Sequence, residues 1–149
     1  MKTRGFEVVS SFDKKEINIP QRKTNLSAGY DIEAAQDAIL PAGKVAIVPT
    51  GLKAYMQADE YLGIHIRSGL SIKNALSLVN GQGIIDADYY NNEDNEGHIM
   101  VAFLNHSQQD IKVKKGERIA QGIFYKYLLA DHDDEADKQI RKGGFGSTV

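Results

Sequence analysis

The sequence predicts an all-β domain, and three observations carry that prediction. Apolar residues recur at a period of two in Leu62, Ile64 and Ile66, in Ile99, Val101 and Phe103, and in Ile111 and Val113. Turn signals cut these runs at Pro41-Ala42-Gly43, Gly51, Gly81-Gln82-Gly83 and Lys115-Gly116. Helical spacing is confined to Arg67 to Asn74, about two turns of helix. Many short strands punctuated in this way belong to a β-sandwich or barrel. A chain of 149 residues suits one domain and buries a core without disulfides or a structural metal.

Composition narrows the classes. With no cysteine, disulfides, thiol chemistry and cysteine-ligated zinc are excluded, and a reducing cytoplasm is a compatible compartment. Met1 to Glu7 carries charges with no long apolar run behind them. No stretch approaches the roughly 18 apolar residues of a membrane span, so a soluble, cytoplasmic protein is expected. The 18 basic and 20 acidic residues are interspersed and leave a net charge of −2. That balance offers no basic field for nucleic acid, and an anionic ligand would need local cations.

Taken in order, Phe6 to Val9 is a first strand, and Asp13-Lys14-Lys15-Glu16 a charged turn. Ile17 and Ile19 alternate before Pro20, and Gln21 to Ser27 is a polar loop. In Ala28-Gly29-Tyr30-Asp31, an aspartate after glycine serves either a turn or a ligand site. Val45, Ile47 and Pro49 then alternate with Ala46 and Val48. Glu60 to Arg67 reads as a half-buried strand with His65 and Arg67 on one face; a lone strand histidine is usually structural and stays outside the mechanism. A short helix opening at Ser68 and Gly69 presents free N–H groups and the positive end of its dipoles beside the Arg67 guanidinium. The same residues also read as a helix cap with a flanking charge.

Asn80 to Tyr90 is the stretch around which the rest is arranged. Gly81, Gln82 and Gly83 after the apolar run Ala75 to Val79 form a hairpin signal, because glycine accepts positive φ and lets the backbone approach a ligand. On an extended strand Asp86 and Asp88 share one face and Ala87 and Tyr89 the other, unless a turn intervenes. Asn91 to Gly97 reads as a solvated hairpin tip. Arg118 to Tyr127 is a long β-rich run that closes a domain over 1–128; an acidic linker follows over 129–140 and a glycine-rich arm over 141–149.

Five segments in order, Ala28 to Asp31, Arg67 to Asn74, Gly83 to Tyr89, Gly116 to Phe124 and Arg141 to Thr148, resemble the motifs of the dUTPase family. The resemblance covers most of the chain. It implies a distorted jelly roll, or β-clip barrel, with one short helix and a flexible C-terminal arm closing the active site. It implies hydrolysis of dUTP to dUMP and pyrophosphate, which limits uracil in DNA and supplies dUMP for thymidylate synthesis.

Asp86 is then the base that activates water, and Arg67, Ser68 and Gly69 hold the triphosphate. Asn80, Gly83 and Ile85 belong to the uracil-reading hairpin, Tyr89 packs under the sugar, and Gln121 reaches the α-phosphate. From the arm, Phe145 stacks on the base while Arg141, Gly146, Ser147 and Thr148 close on the nucleotide. Asp31 supports the metal and phosphate region, and Mg²⁺ is held mainly by phosphates and water, with no direct protein ligand.

The family's usual assembly implies a homotrimer with sites at subunit interfaces and an arm that crosses to another subunit. Uracil offers a donor between two acceptors, and cytosine reverses two of these, a mismatch that can discriminate by up to about 10⁴–10⁵. The chain departs from the family where Tyr90 and the longer Asn91 to Gly97 loop replace a short Arg-Gly-Glu-like turn. One alternative is a regulatory protein-binding role with that loop as contact surface. Another, a dCTP deaminase, needs a glutamate where this chain has Ala102.

Overall fold

The period-two runs become strands in the computed structural model, which describes residues 1–146. The strands are β1 (Gly5–Val8), β2 (Tyr30–Glu33), β3 (Ala38–Leu40), β4 (Val45–Pro49), β5 (Leu52–Tyr55) and β6 (Glu60–Ile66). After the helix α1 (Ser68–Asn74) come β7 (Leu76–Leu78), β8 (Gly83–Asp86), β9 (Met100–Asn105), β10 (Ile111–Val113) and β11 (Arg118–Lys126). Short 3₁₀ turns lie at Ser10–Phe12, Ala87–Tyr89 and Asp133–Glu135. The pairings between these strands are antiparallel and build a four-stranded sheet β2-β11-β6-β8, a three-stranded sheet β4-β9-β7, and the pairs β1-β5 and β3-β10. This is the expected jelly-roll-like β fold with a single α-helix among the described residues.

One core joins these sheets. The four-stranded sheet contributes Ile32, Leu62, Ile64, Ile119 and Ala120, and the three-stranded sheet contributes Leu76, Leu78, Val101 and Phe103. Phe6, Leu40, Leu52 and Val113 fill in from the two-stranded pairs. Polar groups taken inside are partnered, as burial demands. Asn105 Nδ2 donates to the carbonyls of Leu40 (2.9 Å) and Gln109 (2.8 Å), and Thr50 Oγ1 donates to Ile99 O (2.7 Å).

Several sequence expectations are corrected. Gly81-Gln82-Gly83 is not the tip of a hairpin: β7 pairs with β9 and β8 pairs with β6, so the chain crosses here from one sheet to the other. The turn itself is as expected, with Gly81 at φ 73° and its N–H on Leu78 O at 3.1 Å. Asp31 sits inside β2 rather than at a turn. Strands β3 and β5 have no counterpart in the sequence reading, and Ile17 and Ile19 lie in no strand.

The 3₁₀ turn after Asp86 ends the alternation expected for Asp86 to Tyr89. Asn91 to Gly97 keeps Asn91, Glu93 and Asp94 exposed, as a solvated tip would, but is anchored through Asn92 and Asn95. Asn92 is buried, its Nδ2 donates to Tyr89 O (2.8 Å), and its Oδ1 accepts the N–H groups of Asp94 and Asn95. No helix among the described residues is long and apolar enough to cross a membrane.

Candidate active site

Two cavities collect most of the residues singled out in the sequence, and no residue lines both. The larger, about 480 Å³, is an apolar cleft along β8 lined by Asn80, Gly83, Ile85, Asp86 and Tyr89, with Arg141 and Phe145 entering from the arm. The smaller, about 210 Å³, is a polar pocket lined by Gly29, Asp31, Arg67, Ser68 and Gln121, together with Lys23 and Ser27. Gly69 and Gly146 are exposed and line neither; Ser147 and Thr148 lie outside the described residues.

The strand register sets how far apart these halves are. Ile66 pairs with Ala120, and Arg67 continues β6 in extended conformation (φ −75°, ψ 137°). Asp86 pairs with Tyr61 at the other end of β6. The run from Tyr61 to Arg67 covers about 20 Å at ~3.4 Å per residue. Asp31 and Gln121 are cross-strand partners on β2 and β11, and β2 and β8 form opposite edges of the sheet.

In the cleft, Asp86 stands at the end of β8 with its side chain half exposed. Arg141 forks onto both carboxylates, with Nη2 2.6 Å from Asp86 Oδ2 and Nε 2.7 Å from Asp88 Oδ1. The described part of the arm therefore packs on its own chain, on the carboxylates rather than in the polar pocket. The Tyr89 ring is buried, and its hydroxyl donates to His98 O (2.7 Å) and accepts from Asn95 Nδ2 (2.8 Å). Burial pushes the Tyr89 phenol above its ordinary range. The Asp94 N–H donates to Lys142 O (3.0 Å), so one packed loop holds both the tyrosine and the arm.

Beneath the loop, His98 is pushed below 6.5 by burial, and its Nε2 accepts the Gly51 N–H at 2.9 Å. Lys53 Nζ reaches Glu96 Oε2 (2.7 Å) and Asn91 Oδ1 (2.6 Å). The hydrogen bonds from Lys53 and then Ser10 hold the Glu96 carboxyl down at about 2.

In the polar pocket, Asp31 lies 3.8 Å from Arg67 Nε and 3.4 Å from Arg118 Nη1, which orients the Arg67 guanidinium. Gly29 is required by close approach: a Cβ there would stand 2.0 Å from Gln121 Oε1. Arg67, not Ser68, is the N-cap of α1, with no side-chain cap, so the first N–H groups are left without an intrahelical partner. Sequence reasoning missed Lys23, Ser27, Arg118 and the Asn92–Asn95 clamp. Only Lys23 left a signal, as a cation beside Arg22 in the polar loop before Gly29.

An antiparallel β fold that carries a carboxylate-bearing apolar cleft and a separate cationic pocket defines an all-β protein suited to a ligand with an apolar part and an anionic part. A sequence model of the dUTPase family matches residues 15–149. The chain is 51% identical over 148 residues to deoxyuridine 5'-triphosphate nucleotidohydrolase of Lactococcus lactis subsp. lactis, covering 99% of each. It is 40% identical over 146 residues to the protein of that name from Arabidopsis thaliana, covering 96% of this chain and 82% of the relative.

Among solved structures, the dUTPase of Streptococcus mutans matches with TM-score 0.81 at 42% identity, over 85% of this chain and 98% of that one. The dUTPase from phage phi11 of S. aureus matches with TM-score 0.72 at 18% identity, over 87% and 94%, a likeness of fold alone. The chain belongs to the dUTPase family.

Proposed function

We propose that the chain hydrolyses dUTP to dUMP and pyrophosphate, by attack of a water activated by Asp86 on the α-phosphorus. The site is completed in a homotrimer, where the cleft of one copy meets the polar pocket of another. The observation that carries this reading is the division of the site. The backbones of Asp86 and Arg67 of one chain stand about 20 Å apart along β6, and their side chains line two different cavities. Val45, Ile47, Val79 and Ile84 leave apolar surface beside the cleft, each at least 50% exposed, which suits cover by a second copy.

The base is read at a sheet edge. β8 pairs with β6 on one side only, so half of its N–H and C=O groups point away from the sheet, toward the cleft. Those groups, with the Asn80 amide, present uracil with a fixed order of acceptors and donors. Tyr89, held at its hydroxyl from two sides, packs under the sugar and leaves no room for a 2′-hydroxyl. Ala102 lines the cleft, so no carboxylate stands there to support deamination.

The Asp86 carboxylate takes the proton of the attacking water, a step worth roughly 10²–10⁴-fold. The larger part of the acceleration comes from positioning and from charge placed where charge develops. Arg67, held by Asp31, and Lys23 and Gln121 supply that charge and polarity. In the free chain Arg141 Nη2 occupies Asp86 Oδ2 at 2.6 Å, the place a water would take. Arriving phosphates draw Arg141 onto themselves and release Asp86 for its task.

Asp31 is already shared by two arginines, and no three of His, Asp and Glu gather among the described residues. Asp31, a carboxylate in the polar pocket, would support a Mg²⁺ that takes its ligands from phosphate oxygens and water. The ion would supply neutralisation of phosphate charge.

The test is pyrophosphate release from dUTP, dCTP, dTTP and UTP by the native chain and by Asp86→Asn, with and without Mg²⁺. The expected outcome is selective, Mg²⁺-dependent turnover of dUTP that falls at least about 10²-fold in the variant. Turnover unchanged by Asp86→Asn would remove this residue as the base.

A further inference from the structure

A second polar constellation lies on the outer face of the four-stranded sheet, and the reaction above uses none of its members. Gln82, from the turn that crosses between the sheets, lays its side chain over β6, where Nε2 stops 3.2 Å from His65 Nε2. The same imidazole nitrogen is 3.0 Å from Tyr125 Oη on β11. The surface is shaped for this side chain. Gly63 sits beneath it, and a Cβ there would come within 2.5 Å of Gln82 Nε2 and 2.7 Å of Tyr125 Cε2. The Tyr125 ring is itself fixed, stacked on Tyr61 with centroids 5.1 Å apart and planes 16° apart.

For the Gln82 amide to donate, His65 Nε2 must accept, which places the ring hydrogen on Nδ1. Gln82 and His65 line neither cavity. Of the other polar ties of the turn, Val79 N donates to Ala102 O on β9 at 3.0 Å, and two are local, from Gly81 N to Leu78 O at 3.1 Å and from Gln82 N to Asn80 O at 2.8 Å. The Gln82 side chain is thus the side-chain tie between the turn and the four-stranded sheet, next to Gly83 and two residues from Asn80 of the cleft.

We propose that Gly63, His65 and Tyr125 form a seat for Gln82 that fixes the base-reading turn, making Gln82 and His65 positioning residues for the choice of uracil over cytosine. This rests on the dUTP reading given above. Discrimination by an edge of backbone groups depends on the position of those groups, and a turn held on the four-stranded sheet by one side chain shifts there when that tie is cut. One ordinary hydrogen bond corresponds to about a fivefold change in an equilibrium.

The experiment compares Gln82→Ala, His65→Leu and the double variant, each verified folded by its melting curve. It measures kcat and KM for dUTP and dCTP. Each single variant is expected to raise KM for dUTP about fivefold with kcat held within about twofold, and to lower the dUTP/dCTP ratio of kcat/KM by a similar factor. The double variant is expected to be no worse than either single one, because both cut the same tie. Additive losses, a fall in kcat at constant KM, or equal losses for both nucleotides would each overturn the proposal.

The seat is also read without turnover. In the free protein, Gln82→Ala should move the His65 imidazole ¹⁵N resonances and leave those of His98 in place, and unmoved His65 signals would refute the contact. A native chain that releases no pyrophosphate from dUTP would overturn the reaction, and the resonances would still decide the seat.

Discussion

Glu96 shows how one residue carries a pH dependence for the whole domain. Its carboxyl titrates at about 2 instead of the ordinary 4.5, because it accepts from Lys53 and from Ser10. A depressed folded-state value stabilises the fold above pH ~4.5, and that contribution is lost as the pH falls toward about 2. Urea unfolding of Glu96→Gln should therefore decline less steeply over that window than the native chain. At pH 7 the variant should be about 1–3 kcal/mol less stable, since a nearly buried ammonium loses its charged partner; an unchanged slope would detach Glu96 from acid stability. His98 has the same sign by a different cause. Burial favours its neutral form, so its contribution is complete above pH 6.5 and lost as the pH drops below it. A ring-proton NMR titration should place its midpoint below 6.5.

At the scale of elements, legibility followed how local each signal is. β6 and β9 alternate within themselves, and their pattern alone predicted them, while β11 was legible as a β-rich run. β5 does not alternate: Leu52, Lys53 and Ala54 are all buried, and Lys53 tolerates burial only because Glu96, far along the chain, meets it. The Gly81 turn was legible as a turn, whereas the partners of β7 and β8 are chosen by a core that no window of sequence contains. Asp86, Tyr89 and Arg67 could be picked out through the resemblance of their motifs. The Asn92–Asn95 clamp could not, because asparagines in a packed loop have the composition of a solvated one. The arm shows the same dependence on distant partners. A Cβ on Gly144 would lie 2.9 Å from Tyr89 Cε1, on a ring held at its hydroxyl from two sides. A Cβ on Gly143 would instead meet the Asp94 carboxylate, the free end of a side chain that can swing away. Gly144→Ala should raise KM for dUTP on the order of tenfold by lifting the arm, and Gly143→Ala much less. Equal effects in steady-state kinetics would mean that contact with Tyr89 does not seat the arm.

For the whole molecule the governing fact is that each chain bears a cleft on one edge of a sheet and a cationic pocket at the other end of β6. Surfaces that differ in this way make heterologous contacts, and such contacts close into rings when the rotation permits. A ring satisfies every copy at once, since each gives its cleft to one neighbour and its pocket to another, and it covers the apolar surface around Val45, Ile47 and Ile84. The consequence is complementation. Asp86→Asn spoils the cleft and leaves the pocket intact, while Arg67→Ala does the reverse, so each variant alone should be nearly inactive. Refolded together in equal amounts, they should regain about a quarter of native activity, because a site needs an intact cleft from one copy and an intact pocket from another, each supplied by half of the chains. Sedimentation of the mixture should give the mass of three chains. If the site lay within a single chain, no mixture would recover activity however the chains assort, and the roughly 20 Å between Asp86 and Arg67 would have to close by rearrangement inside the sheet. An antiparallel ladder held by β6 pairing on both its sides resists such a change, and on that ground recovery is the expected result.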